Sequence, residues 1–214
     1  VQKILVSFPK TKEFFRRKNI VLTGCPIRAA QLNVNRDQLL KEYSLDSRKK
    51  TILVFGGSQG SHMINIMASV VLPRLDQEQV QVIHATGEAD FEKVRKDYLN
   101  KKIQAAVFPF IEMTKAYALA DVVICRAGAG TVMELAAHNL PAILIPYPYA
   151  GGHQKANAQE LVGQNVICIE EKDLNEENLL AATQKLLAGS KLTEKSSVFI
   201  DNAAHNIARE IQLV

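Results

Sequence analysis

The 214-residue chain predicts an α/β fold: a doubly wound parallel sheet with helices on both faces. Three observations predict it. Eight short apolar runs recur along the sequence, and helical patterns separate them from the third run onward. Most runs are unbroken Val/Ile/Leu stretches and not alternating ones, which marks strands covered on both faces. Hydrophobic residues make up 47% and charged residues 22%, enough apolar material for a single large core.

The leading runs, 4–8 and 20–23, are strand-like. A polar, charged stretch from Arg28 to Lys50 follows, with one short helix in Gln38-Leu39-Leu40-Lys41-Glu42-Tyr43, and it reads as a connection. The run 52–55 opens the main unit and leads through glycines into a helix over 61–72. Runs 80–85, 105–108, 122–125, 142–145 and 166–169 are then followed by helices over 88–99, 112–119, 130–138, 153–163 and 176–188. A last helix over 194–212 carries apolar positions at helical spacing, and either covers the fold or reaches back to a neighbour. Right-handed crossovers would gather the loops after the strands on one sheet edge.

Composition narrows the function. A net charge of +4 suits an anionic ligand or an acidic membrane surface. Without Trp, and with no basic-aromatic strip, nucleic acid is disfavoured as a partner. Cys25, Cys125 and Cys168 are odd in number, far apart and match no zinc spacing, so they read as reduced thiols in a reducing compartment. No apolar run reaches membrane-span length and no signal peptide is present. The chain begins at Val1 and enters at once into an apolar run, so it reads as a piece of something longer.

Three loops carry the chemistry, each at a strand-to-helix junction. Gly56-Gly57-Ser58-Gln59-Gly60-Ser61 allows backbone conformations and close approach that a Cβ would block. Free amides at the following helix start, with the Ser58 hydroxyl, suit a diphosphate. The competing reading is a tight turn with Ser61 as N-cap. In Arg126-Ala127-Gly128-Ala129-Gly130-Thr131, amides near Gly130 and Thr131 can face phosphate, and Glu134 lies on the same helix side as Thr131. A carboxylate there can accept both hydroxyls of a ribose, or it can simply offset the macrodipole. Arg126 can equally form a surface salt bridge. In the third segment, His153, Gln154 and Asn157 offer groups suited to sugar hydroxyls. Phe108-Pro109-Phe110-Ile111 is placed to flank a flat base and pair with it through the Ile111 backbone, although core packing explains Phe108 as well. His62, His84, His138 and His205 show no partner pattern that marks catalysis.

These motifs, in this order, resemble the C-terminal, donor-binding half of the MurG family, the bacterial N-acetylglucosaminyltransferases that make lipid II from lipid I. The resemblance runs from Thr23-Gly24-Cys25-Pro26-Ile27-Arg28 to His153–Ala158. It implies the C-terminal domain of a GT-B architecture, with residues 1–27 a remnant of the acceptor domain and 28–214 the UDP-sugar domain. It also implies UDP-GlcNAc as donor, inversion at the anomeric carbon, and neither metal nor cofactor. Arg28 and Ser58 would lie at the diphosphate, Ile111 at uracil, Ala129, Gly130 and Thr131 at the phosphate turn, and Glu134 on the ribose. Gln154, with His153 and Asn157, would meet the GlcNAc hydroxyls. Lipid I, the catalytic base and the peripheral contact with the cytoplasmic membrane face would belong to the N-terminal half, leaving no catalytic residue in this chain. Cys25 stands where the family commonly has Asn, which alters the surroundings of Arg28. Open alternatives are another GT-B enzyme (a dolichol-linked GlcNAc transferase subunit or a UDP-GlcNAc 2-epimerase) and a non-catalytic nucleotide-binding module.

Overall fold

The computed structural model describes residues 2–16, 19–27, 35–149, 151–163, 165–189, 196 and 198–213. A small parallel pair comes first, β1 (Ile4–Val6) beside β2 (Ile20–Leu22). A six-stranded parallel sheet follows, made of β3 (Lys50–Phe55), β4 (Val80–Ala85), β5 (Ala105–Phe108), β6 (Val122–Cys125), β7 (Ala142–Leu144) and β8 (Val166–Cys168). The helices are α1 (Arg36–Glu42), α2 (His62–Val71), α3 (Phe91–Asn100), α4 (Met113–Leu119), α5 (Ala129–His138), α6 (His153–Gln159), α7 (Glu176–Ala188) and α8 (Ala203–Gln212).

Strand order in the large sheet is β5-β4-β3-β6-β7-β8, all parallel. The order reverses between β3 and β6, so the chain winds outward in both directions from the centre. A crevice opens at such a reversal, beyond the carboxyl ends of the two central strands, and that is where doubly wound sheets bind ligands.

Each central strand feeds two cores. In β3, Ile52 and Val54 point toward α2, α3 and α7, while Leu53 and Phe55 point toward α1, α4, α5 and α6. Covering on both sides explains why these strands are continuously apolar in sequence. Each fully buried aliphatic side chain contributes roughly 1.5–3 kcal/mol of transfer free energy. The edge strands β5 and β8 are only partly buried.

Several boundaries differ from expectation. The last helix starts at Ala203, because Asn202 adopts a left-handed conformation (φ +58°) that interrupts helical propagation; residues 190–195 and 197 lie outside the described residues. Helix α6 stops at Gln159, where the Leu161 and Val162 amides both turn back to Ala158 O. Residues 9–14 form a 3₁₀ turn that no periodicity announced, with Pro9 at its first position. The segment read as a mere connection contains a core element. Asn35 caps α1 by accepting from the Asp37 and Gln38 amides, and Leu39 and Leu40 are buried. Helix α8 reaches back to the leading pair: Lys3 bonds Glu210 at 2.9 Å, and Asn206 Nδ2 donates to Thr23 O at 3.4 Å.

Candidate functional site

The glycine loop after β3 needs its glycines. A Cβ on Gly56 would lie 2.2 Å from Ser61 N, and one on Gly60 (φ +79°) 2.0 Å from Thr86 O. Ser58 is exposed within this loop. Ser61 stands at the N-cap position of α2 but makes no side-chain cap. Its Oγ accepts from Arg126 Nη2 at 2.8 Å, so a long-range partner has replaced the expected local one.

Arg126 is not a surface residue. It is 9% exposed, ion-paired with Glu171, and donates to the carbonyls of Ile145 (3.2 Å) and Pro146 (3.4 Å). Its guanidinium also lies 5.3 Å from the centre of the Tyr147 ring. One side chain therefore ties together the loops after β3, β6, β7 and β8. Breaking a buried pair of this kind costs about 3–5 kcal/mol, which keeps the four loops in a common arrangement. Glu171 escaped sequence reasoning because a Glu-Glu-Lys-Asp turn reads as an ordinary solvated one.

Helix α5 begins directly after Gly128, with Ala129 and Gly130 exposed and Thr131 half-buried at its first turn. Glu134 is half-buried and accepts from the Tyr117 hydroxyl at 2.9 Å. Burial raises the Glu134 carboxyl above its ordinary range, and the Tyr117 hydrogen bond partly opposes this. Tyr117 is itself held by stacking on His138, with ring centres 5.2 Å apart, and by an edge contact with Phe55. Tyr117 was not among the expected site residues; its position on α4, one strand before the helix of Glu134, hid it.

Gln154 and Asn157 brace the second loop. Gln154 Oε1 accepts from the amides of Ala127 (3.2 Å) and Tyr147 (3.0 Å), and Asn157 Nδ2 donates to Ala127 O at 3.1 Å. One end of each amide is thus committed to backbone, a role that spacing did not reveal. His153 is exposed at the first position of α6, after Gly152 in a left-handed conformation (φ +79°). Tyr147 and Tyr149 pack edge-on at 5.5 Å.

Ile111 lies on the far side of the sheet centre, after β5, half-buried against the core. Phe108 packs edge-on to Tyr43 at 5.3 Å, which is core packing, while Phe110 is 62% exposed. The Thr86 amide donates to Phe108 O (2.9 Å) and the Gly87 amide to Pro109 O (3.0 Å), stitching this loop to the one after β4. Parallel topology thus puts Ser58, Ile111, the 129–131 turn, Glu134, Gln154 and Asn157 at the carboxyl edge of one sheet. The 56–61 and 126–131 loops flank the reversal between β3 and β6. Arg28 lies outside the described residues.

The model of the glycosyltransferase family 28 C-terminal domain matches residues 51–211. The chain belongs to that family. Among similar family 28 relatives, the UDP-N-acetylglucosamine–N-acetylmuramyl-(pentapeptide) pyrophosphoryl-undecaprenol N-acetylglucosamine transferase of Thermodesulfovibrio yellowstonii is 41% identical over 191 residues. That alignment covers 86% of this chain and 52% of the relative. The enzyme of the same name from Bdellovibrio bacteriovorus is 36% identical, over 99% of this chain and 60% of its own length. The crystal structure of Acinetobacter baumannii MurG superposes with a TM-score of 0.81 at 27% identity, covering all of this chain and 61% of that one. The family 28 chain therefore spans between half and two thirds of these relatives. Its six-stranded sheet and flanking helices are those of a GT-B C-terminal domain.

Proposed function

We propose that this chain binds UDP-GlcNAc as the donor half of an inverting transferase that passes GlcNAc to undecaprenyl-diphospho-MurNAc-pentapeptide. The observation that carries the reading is the pair of glycine-bearing loops flanking the strand-order reversal, with a carboxylate, Glu134, one turn beyond the second. Similarity to the named transferases over most of the chain supports it, and favours it over an epimerase or a non-catalytic module.

In this reading Ser58 and the amides of the first loop take the diphosphate together with Arg28, while Ala129, Gly130 and Thr131 line its other side. Glu134 accepts the ribose hydroxyls, and Ile111 pairs with uracil through its backbone. Gln154, with one end held by backbone, turns the other toward the GlcNAc hydroxyls, helped by Asn157 and His153. As the anomeric bond breaks, charge grows on the departing UDP, and fixed amides stabilise it without reorganising. The acceptor site and the base that deprotonates the acceptor hydroxyl belong to the other half of the enzyme. Residues 1–27 are assigned to that half and 28–214 to the donor half. Contact with the cytoplasmic membrane face is likewise assigned to the other half; among the described residues, no helix is long and apolar enough to cross a membrane.

Calorimetry of the chain with UDP-GlcNAc and with UDP tests the reading. Both should bind, and Glu134→Ala should weaken them by about tenfold or more, the scale of one lost charged hydrogen-bonding group. Absence of binding, both alone and after joining to an acceptor half, sinks it.

A further inference from the structure

One buried polar cluster is not absorbed by the roles above. Asn65 on α2 is fully buried, as is His84 on β4, and Tyr98 on α3 is 1% exposed. Tyr98 OH lies 2.9 Å from His84 Nδ1, and His84 Nε2 lies 3.0 Å from Asn65 Oδ1. Asn65 Nδ2 donates to Thr86 O and to Asp90 Oδ2, both at 2.8 Å. Asp90 Oδ1 in turn meets His62 Nδ1 at 2.8 Å.

The hydrogen-bond chemistry admits one arrangement. Thr86 O and the Asp90 carboxylate both accept, so the Asn65 NH2 must face them and its oxygen must face His84. His84 Nε2 then carries the proton, its Nδ1 accepts, and the Tyr98 hydroxyl donates. Burial holds the His84 imidazole neutral, with its pKa down to about 3, which keeps that order intact. An apolar trio of the same shape would stabilise this core about as well, since a fully paired buried network contributes little net. What the network adds is a defined position for the Thr86 carbonyl.

That carbonyl sits at a junction. A Cβ on Gly60 would fall 2.0 Å from Thr86 O, and one on Gly87 would fall 2.5 Å from Gln59 O, so the 56–61 and 86–90 loops meet backbone to backbone. The next amides along, Thr86 and Gly87, bind Phe108 O and Pro109 O. Thr86-Gly87 therefore lies between the loop of Ser58 and the loop of Ile111, and Asn65 pins it.

We propose that Asn65, oriented by His84 and Tyr98, is a positioning residue that fixes the spacing between the phosphate-binding and base-binding loops, so that both ends of a uridine diphosphate are held at once. This rests on the donor-binding reading above. A ligand gripped at two points binds far more tightly than its halves only while the two grips keep the right separation. Loss of the pin therefore weakens the whole ligand and spares its fragments.

The test titrates the chain with UDP, uridine and inorganic pyrophosphate, and follows melting in parallel. In Asn65→Ala, UDP affinity falls by about tenfold or more, while uridine and pyrophosphate each stay within about twofold of the unsubstituted chain. Tyr98→Phe keeps the ring in the core and removes only the hydroxyl that orients His84. It shows the same split at smaller size, and it decides the matter if Asn65→Ala does not fold. Equal weakening of UDP and uridine, or unchanged UDP binding in a folded variant, overturns the proposal and leaves the donor reading standing. No UDP binding by the unsubstituted chain, both alone and after joining to an acceptor half, overturns both.

Discussion

Glu134 shows how a single residue acquires a pH window. Burial raises its carboxyl, and the Tyr117 hydroxyl, donating at 2.9 Å, pulls it part of the way back. In the proposed ribose role only the carboxylate accepts two hydroxyl donors, so UDP affinity should be constant above the raised pKa and fall as pH drops through it. The stability linkage has the opposite sign: a carboxyl whose folded pKa is raised contributes stability at low pH that is lost as pH rises through that pKa. Tyr117→Phe removes the opposing hydrogen bond, so the pH at which UDP affinity halves should move upward. Titrations of both proteins across the acid-to-neutral range check this, and coincident profiles would contradict it.

At the level of elements, the two glycine-bearing loops separate folding from binding. Gly60 has a positive φ and no room for a Cβ, because Thr86 O occupies the space at 2.0 Å. Gly60→Ala must displace one loop or the other, and should lower both stability and UDP affinity. Gly130 lies within the first turn of α5, with open space where a Cβ would go. Alanine is the better helix former by up to about 1 kcal/mol, so Gly130→Ala should hold or raise the melting temperature. If a phosphate approaches that turn closely, the same methyl should still weaken UDP binding. Thermal melting paired with calorimetry reads both quantities; a Gly130→Ala protein with unchanged UDP affinity argues against the assigned phosphate turn.

Over the whole molecule, the leading strand pair and the last described helix meet. Glu210, near the end of α8, bonds Lys3 before β1, and Asn206 bonds the carbonyl of Thr23 after β2. Gly24 (φ +82°) lies where a Cβ would come within 2.9 Å of the Ile200 Cβ, so the contact is close. The small β1–β2 pair is too short to stand alone and depends on this return. Glu210→Ala should therefore speed amide exchange in residues 4–6 and 20–22 and leave UDP affinity unchanged, because the sheet edge that carries the loops lies elsewhere. Exchange at those amides that matches the unsubstituted chain would show that the leading pair is held by other means.

The amino-acid sequence by itself determined the fold class, the alternation of strands and helices, and the glycine-bearing loops at which the phosphate site is proposed. The bounds of β4, β5 and β6 were read directly from it, because each is a short, mainly apolar run closed by a loop that carries Gly or Pro. It did not determine the order β5-β4-β3-β6-β7-β8 or the partners that meet across it. Arg126 with Glu171 and Ser61, Glu134 with Tyr117, and Asn65 with His84 and Asp90 were decided only by tertiary structure. Local patterns report periodicity and turn chemistry, which act over a few residues. Each of these pairings instead closes a loop of more than a dozen residues, and its geometry exists only once separate elements have packed.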